Sequence, residues 1–563
     1  MEKYRTNPSE QEESGRQSTV RDRQSAVGVP PACLVSDFVQ MSTKKKTTPS
    51  AESHAPYLPT ADRRLPTAGR RLPTSFRLLP SAFCLLLFSA ACMVGPNYKR
   101  PSAPVAPAYK ETAPATWKEQ GWQPAQPNDQ ASKGKWWEIY NDPELNALEE
   151  QVNISNQNVL VAEAQFREAQ AAVRIARSSL FPTVTGGVSI VNSRASVTGT
   201  AGNQSFVPSA RTTYDLAPTA TWAPDLWGSI RRGVTGAVAT AQASAAQLEN
   251  ARLSYQGELA QDYFQLRGTD GDYDLLDRTV KSYQDYLTLT QNRFNAGVAS
   301  GADVAQAQTQ LYSAQAQMVD LEVVRTQLEH AIAILTGKPP VAVTVSHAAI
   351  AAKEPPPVPI GIPSTLLERR PDIAAAERQM AAANEQIGIA QSAFYPTLTL
   401  SAEVGLESSR IGTWIQWPSR FWSVGPQLAE TLFDAGLRRA RVAQVRATFD
   451  ADIASYRQTV LTAFQQVEDN LSALRVLERE AGVENDAVNA AELALRISTD
   501  QYKAGTASYL QVITSQTAAF AAEKAAVDVL TRRMVASASL VEALGGGWST
   551  SQLPTATQLV SAK

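Results

Sequence analysis

Ala390-Gln-Ser-Ala-Phe-Tyr-Pro-Thr-Leu-Thr-Leu-Ser-Ala-Glu-Val404 runs from a helical pattern through a proline into a strand, and the chain contains this passage twice. The counterpart, Ala176-Arg-Ser-Ser-Leu-Phe-Pro-Thr-Val-Thr-Gly-Gly-Val-Ser-Ile190, keeps the small residues, the aromatic before the proline and the Pro-Thr-aliphatic-Thr after it. Further pairs follow in the same order. Asn158–Gln165 matches Asp372–Gln379, Ile230-Arg-Arg232 matches Leu437-Arg-Arg439, and Arg293-Phe-Asn-Ala-Gly-Val-Ala-Ser300 matches Gln501-Tyr-Lys-Ala-Gly-Thr-Ala-Ser508. The chain is an internal duplication, with a helix-to-strand switch at Pro182 in one half and at Pro396 in the other.

Prolines mark its divisions. They crowd residues 96–127 and 339–371, yet none lies between Pro224 and Pro339 or between Pro426 and Pro554. Long proline-free, alanine-rich runs predict long helices. Val304, Ala307, Leu311, Ala314, Met318, Leu321, Leu328, Ile332 and Leu335 step by threes and fours as a coiled-coil seam does. Each half therefore reads as helix, two strands and a long helical hairpin. The expected divisions are a leader and signal over 1–91, a Pro-rich segment over 92–135, repeats over 136–337 and 363–548, a connector over 338–362 and a tail over 549–563. Gly268 and Gly271 are candidate kinks in a helix that would extend roughly 100 Å at 1.5 Å per residue.

The strands alternate. Leu398, Leu400, Ala402, Val404 and Leu406 share one face, and Thr397, Thr399, Ser401, Glu403 and Gly405 the other. Val184, Val188 and Ile190, then Leu216, Ala220 and Trp222, then Trp422, Val424 and Leu428 repeat the pattern. That is the signature of barrel strands facing lipid outside and water inside, at about the ten residues a membrane strand needs. Five of the ten tryptophans, Trp222, Trp227, Trp414, Trp417 and Trp422, sit in or beside these strands, as an interfacial belt would. A soluble sandwich with one buried face is the alternative. Pro218 and Pro426 fall inside strands, where each removes a ladder donor, and predict a bulge in each half. Four strands cannot close, and an open edge is not tolerated in lipid. Two copies would make a filled eight-stranded barrel and three a twelve-stranded one with a lumen; three is the expected number. The fold class is thus a mixed α and β membrane protein, with four strands per chain and helices reaching into an aqueous compartment.

The formal net charge is −2, and no basic cluster after the leader suggests a nucleic-acid partner. The three cysteines are Cys33, Cys84 and Cys92, so the main body has no thiol for a disulfide or metal. Three seven-residue units beginning Leu-Pro-Thr at 58, 65 and 72 read as low complexity. Ser81–Cys92, an apolar stretch after five arginines, reads as a secretory signal, too short to span a bilayer. Its Ala90-Ala91-Cys92 end resembles a bacterial lipobox, which would make Cys92 the acylated mature N-terminus. Ser89 departs from the usual leucine, and an ordinary signal cleavage is the alternative.

Cys92-Met-Val-Gly-Pro-Asn-Tyr98, Trp136-Trp137, Asp142-Pro-Glu-Leu145, Leu367-Glu-Arg-Arg-Pro-Asp-Ile373, Leu432-Phe-Asp-Ala-Gly436 and the paired Gly-x-x-Ser turns together resemble the TolC family of outer-membrane efflux ducts, in its lipoprotein branch serving resistance-nodulation-division pumps. The resemblance implies a homotrimer with a twelve-stranded outer-membrane barrel, a periplasmic α-helical barrel with an equatorial collar, and an adaptor protein and inner-membrane pump as partners. It also implies that the hairpin turns are periplasmic tips where the adaptor docks. Read physically, Gly297 and Gly505 stop a helix in the left-handed conformation, and Ser300 with Asp303, or Ser508 with Gln511, has capping-box spacing for the next. Gln511 removes a charge at the second tip.

No catalytic constellation and no cofactor site is present in the sequence. His54, His330 and His347 are the only histidines and read as isolated, His330 on the helical seam and His347 in the connector. The competing functions are a duct for protein secretion and a non-conducting periplasmic coiled-coil scaffold.

Overall fold

The computed structural model describes residues 93–115, 117, 134–194, 209–352, 354–361 and 363–561. The leader, Cys92 and residues 116 and 118–133 of the Pro-rich segment lie outside the described residues. In chain order the main elements are α1 (Pro143–Ser155), α2 (Gln157–Ser178), β1 (Thr183–Ser193), β2 (Arg211–Trp222), α3 (Ser229–Asn295), α4 (Gly301–Leu335), α5 (Pro371–Ser392), β3 (Thr397–Ser408), β4 (Arg420–Ala429), α6 (Leu437–Lys503) and α7 (Tyr509–Ala543). The duplication extends to element length: α2 and α5 have 22 residues each, α3 and α6 have 67, and α4 and α7 have 35.

Local chemistry sets the boundaries. Asp142 caps α1 by accepting from the amides of Glu144 and Leu145, with Pro143 at the first helical position. Buried Asn156 ends α1 and caps α2 through the amides of Asn158 and Val159, while its own Nδ2 donates to Leu335 O at 2.8 Å. At both switches two turn residues and the aromatic lead into the proline, and the strand starts at the next residue, Thr183 or Thr397.

The four strands form one antiparallel sheet in the order β1-β2-β3-β4, leaving β1 and β4 as open edges. The helices feeding it lie in the same order, with α2 on α3, α3 on α5 and α5 on α6. Away from the sheet, α4 packs on α3 and α7 on both α3 and α6. Each 67-residue helix, about 100 Å at 1.5 Å per residue, thus runs through both layers. At mid-length Trp136, Trp137, Leu145, Val152, Val345, Val358 and Ile360 close over Leu259, Tyr263 and Leu266 of α3, Val460 and Leu471 of α6, and Leu540 of α7 in the main core. A second core joins the two hairpins further on, through Leu276, Tyr283, Leu311, Tyr502, Tyr509 and Val512. All nine residues of the anticipated α4 seam are buried in or packed against these two cores.

One expectation is refined and one corrected. First, α3 is a single continuous helix through Gly268 and Gly271. Gly268 admits the neighbouring helix: a Cβ there would lie 2.2 Å from Thr531 Oγ1 of α7, and one on Gly257 would lie 2.4 Å from the Glu542 carboxylate. Second, neither strand proline makes a bulge. β2 and β3 keep one register on both sides of Pro218, Leu216 facing Leu406 and Thr219 facing Glu403, with only the pairing at 217 and 218 lost. Pro426 pairs with Leu400 in an unshifted ladder.

Candidate functional site

The sheet collects the alternating residues into rows, because directly opposed residues point to the same face. Val184, Ala220, Ala402 and Val424 form one row; Val188, Leu216 and Leu406 a second; Trp222, Leu400 and Pro426 a third. Leu398 faces Leu428, and Val404 faces Trp422. The other face carries Thr183, Thr221, Ser401 and Gly425, then Thr185, Thr219, Glu403 and Ser423, and Asp215 opposite Glu407. The apolar face is uncovered: Val188 is 65% exposed, Val424 71% and Trp422 76%.

The switches are held by indoles. Trp222 Nε1 donates to Leu180 O at 3.1 Å, just before Pro182. Trp227 Nε1 donates to Pro396 O at 2.7 Å while its ring stacks on Tyr395, centroids 4.8 Å apart. A residue of the first half therefore clamps the switch of the second. The strand-to-helix returns also match: Asp225 accepts from the amide and Nε of Arg231, and Asp434 from those of Arg438, each before a glycine of positive φ, Gly228 or Gly436. The hydrogen bond from Arg438 holds the Asp434 carboxyl below its ordinary range.

The tips are Schellman turns. Val298 N donates to Arg293 O at 2.8 Å and Gly297 N to Phe294 O at 2.9 Å; Thr506 N and Gly505 N do the same toward Gln501 and Tyr502. Gly297 has φ of 75° and Gly505 of 78°, as anticipated. Ser300 and Asp303 form the full capping box, with Asp303 N to Ser300 Oγ at 3.2 Å and Ser300 N to Asp303 Oδ2 at 2.9 Å. The second box does not form. Ser508 makes no side-chain cap bond, and Gln511 Nε2 reaches back to Gln501 Oε1 at 3.4 Å. A neutral amide gains less than a carboxylate from a helix N-terminus, so it takes the other partner. The two hairpins are tied together here, since Arg293 lies over the Tyr502 ring at 4.5 Å and donates to Tyr502 O at 2.9 Å.

A strap that spacing could not reveal runs beside the first strand-to-helix return. Buried Arg232 donates to the carbonyls of Val94, Gly95 and Pro96 and pairs with Glu385 of the other half at 2.7 Å. Met93 packs on Gly228, where a Cβ would come within 2.7 Å of Met93 Cγ. Of the histidines, His54 lies outside the described residues and His330 is exposed on α4, not in the seam. His347 is not isolated: it sits between Asp270 and Asp274. Among the described residues no His, Cys, Asp or Glu group could hold a metal, and no helix is long and apolar enough to cross a membrane.

Paired helical hairpins bearing a small sheet with one uncovered apolar face define an outer-membrane channel component. Residues 148–338 and 362–546 match the family model for outer membrane efflux protein. The chain is 29% identical over 464 residues to the probable efflux pump outer membrane protein TtgC of Pseudomonas putida, covering 81% of this chain and 93% of TtgC. It is 29% identical to the outer membrane protein OprJ of Pseudomonas aeruginosa, covering 82% and 95%. The solved outer-membrane channel OprN superposes with a TM-score of 0.72 at 30% identity, covering 81% of this chain and all of that one. The chain belongs to the outer membrane efflux protein family and is an outer-membrane protein of efflux.

Proposed function

We propose that three copies join β4 of one chain to β1 of the next, closing a twelve-stranded barrel whose apolar rows face lipid and whose Thr, Ser, Asp and Glu rows face the lumen. One observation carries this: a sheet with two open edges and one uncovered apolar face, which a membrane does not tolerate until both are satisfied. The helices then reach into the periplasm as an exit duct for small molecules. Their Gly297–Asp303 and Gly505–Gln511 tips meet an adaptor protein and, through it, an inner-membrane pump of the resistance-nodulation-division class. The duct is passive and uses no cofactor. Cys92 is the acylated mature N-terminus after removal of residues 1–91. The seat of Met93 beside Gly228 supports this, since a lipid on the preceding residue would emerge at the strand-to-helix junction.

Paired substitutions on β3 test the barrel. Leu400→Arg sets a charge against hydrocarbon at about 2–4 kcal/mol near the midplane, while Thr399→Arg would point into a watery lumen. Leu400→Arg is expected to abolish assembled trimer in the outer membrane and restore dye accumulation to that of the deletion strain, with Thr399→Arg assembling normally. Equal assembly of both variants would overturn the assignment of faces.

A further inference from the structure

His347 lies on the connector between the two halves, and each of its ring nitrogens meets a carboxylate of α3. Nδ1 is 3.0 Å from Asp270 Oδ1, and Nε2 is 2.9 Å from Asp274 Oδ1. A neutral imidazole has one N–H and can satisfy only one of them; an imidazolium donates to both. Asp270 and Asp274 are one helical turn apart on one face, and between them Tyr273 meets the histidine ring edge-on, centroids 5.4 Å apart.

Around this contact the connector is held by groups that stay in place when the ring changes. Arg325 Nη2 donates to Val345 O at 2.8 Å, Glu329 accepts from Val345 N at 2.7 Å, Glu144 accepts from Ser346 N at 3.0 Å, and Arg267 donates to Ser346 O. Fully buried Asp270 is also bonded by Arg325 Nε at 2.8 Å and by Ala348 N at 3.0 Å. The charged and titratable groups at the ring are Asp270, Tyr273 and Asp274 of α3 and Glu322 and Arg325 of α4, and behind them Arg267 pairs with Asp270, Glu329 with Arg325 and Glu144 of α1 with Arg267. A cavity of about 320 Å³ lined by Thr269, Tyr273, Leu321, Glu322, Arg325 and His347 opens beside the ring, and the side chain is 42% exposed, so solvent protons reach it.

We infer that His347 is a proton-dependent catch: as an imidazolium it fastens the connector to α3 across Asp270 and Asp274, and on losing its proton it releases one of them. The protonated ring holds α3 at two points and the neutral ring at one. The grip governs how tightly the connector around His347 lies on α3. In the periplasmic placement proposed above, external acidity would set it.

The test is amide hydrogen exchange of the purified full chain in detergent, corrected for intrinsic exchange, from about pH 5.5 to about pH 9. Connector peptides over residues 343–350 are expected to lose about tenfold in protection as pH rises, while peptides over residues 301–318 of α4 stay constant. His347→Gln should abolish the step at the high-pH protection, and Asp274→Asn, whose amide donates to the neutral ring and accepts from the protonated one, should abolish it at the low-pH protection. A flat wild-type profile, a step surviving in His347→Gln, or an equal step in the α4 peptides would overturn the catch. None of these readouts requires export, so the inference can fail while the duct stands.

Discussion

The two ends of each hairpin use the same turn and bear different loads. At the tips Gly297 and Gly505 close Schellman turns; at the opposite ends of α4 and α7, Gly337 and Gly545 close turns of the same hydrogen-bond pattern, Lys338 N to Ala333 O at 2.9 Å and Gly546 N to Val541 O at 3.0 Å. All four glycines have φ between 70° and 96°. A Cβ on Gly297 would meet nothing within 4 Å, and one on Gly505 only the end of Arg293 at 4.0 Å. A Cβ on Gly337 would lie 2.0 Å from Ser155 O, and one on Gly545 2.1 Å from Arg369 O. At mid-molecule the turn is also a packing surface for backbone; at the tip it is free to serve a partner.

The sharpest break of this comparison is substitution by valine. Gly337→Val and Gly545→Val add a backbone collision to the left-handed strain and should cost about 3–5 kcal/mol, eliminating trimer from the outer membrane. Gly297→Val and Gly505→Val carry only the strain, about 1–2 kcal/mol, and should leave trimer yield intact while reducing adaptor co-purification and efflux. Loss of trimer in all four variants would erase the distinction between the ends. Normal export with bound adaptor in the tip variants would remove the tip from function.

A second test exploits the carboxyl packed on α3 near the tight end. Glu542 lies against Gly257, and burial, with Glu258 beside it, pushes its carboxyl up to about 7. An unfolded glutamate releases its proton near about 4.3. Between these values the unfolded chain has lost the proton that the folded chain still holds, so stability falls as pH rises through this window. The thermal midpoint of wild type relative to Glu542→Gln should therefore decline from about pH 4.5 to about pH 7; a constant difference would show that the carboxyl is not held in its neutral form.

The smallest expected effect separates the tips from each other. Ser300→Ala removes a formed cap and should cost about 1 kcal/mol, whereas Ser508→Ala removes no cap bond and should be near neutral. Local exchange of the first amides of α4 and α7 reads both. Equal losses would mean that Ser508 caps α7 in the assembled protein.

The duplicated helix-to-strand switch, the strand faces, the α4 seam and the glycine turns could be read from the chain, because each follows from residues close in sequence: a proline that stops a helix, a two-residue alternation, a three-and-four step, a residue free to take positive φ. The first capping box belongs with them. Other features depended on contacts across a turn or between distant residues. Whether Ser508 and Gln511 form a box was decided by Gln501 across the turn, and what the missing side chain of Gly268 makes room for was decided by Thr531. Whether Trp227 serves only an aromatic belt was decided by the Pro396 carbonyl of the other half, and whether His347 stands alone by Asp270 and Asp274 on α3. Short-range patterning determined which elements form and which way their faces alternate; only the packing of the folded elements on one another decided which neighbour each polar group meets, since a hydrogen bond is fixed by distance in space and not by separation along the chain.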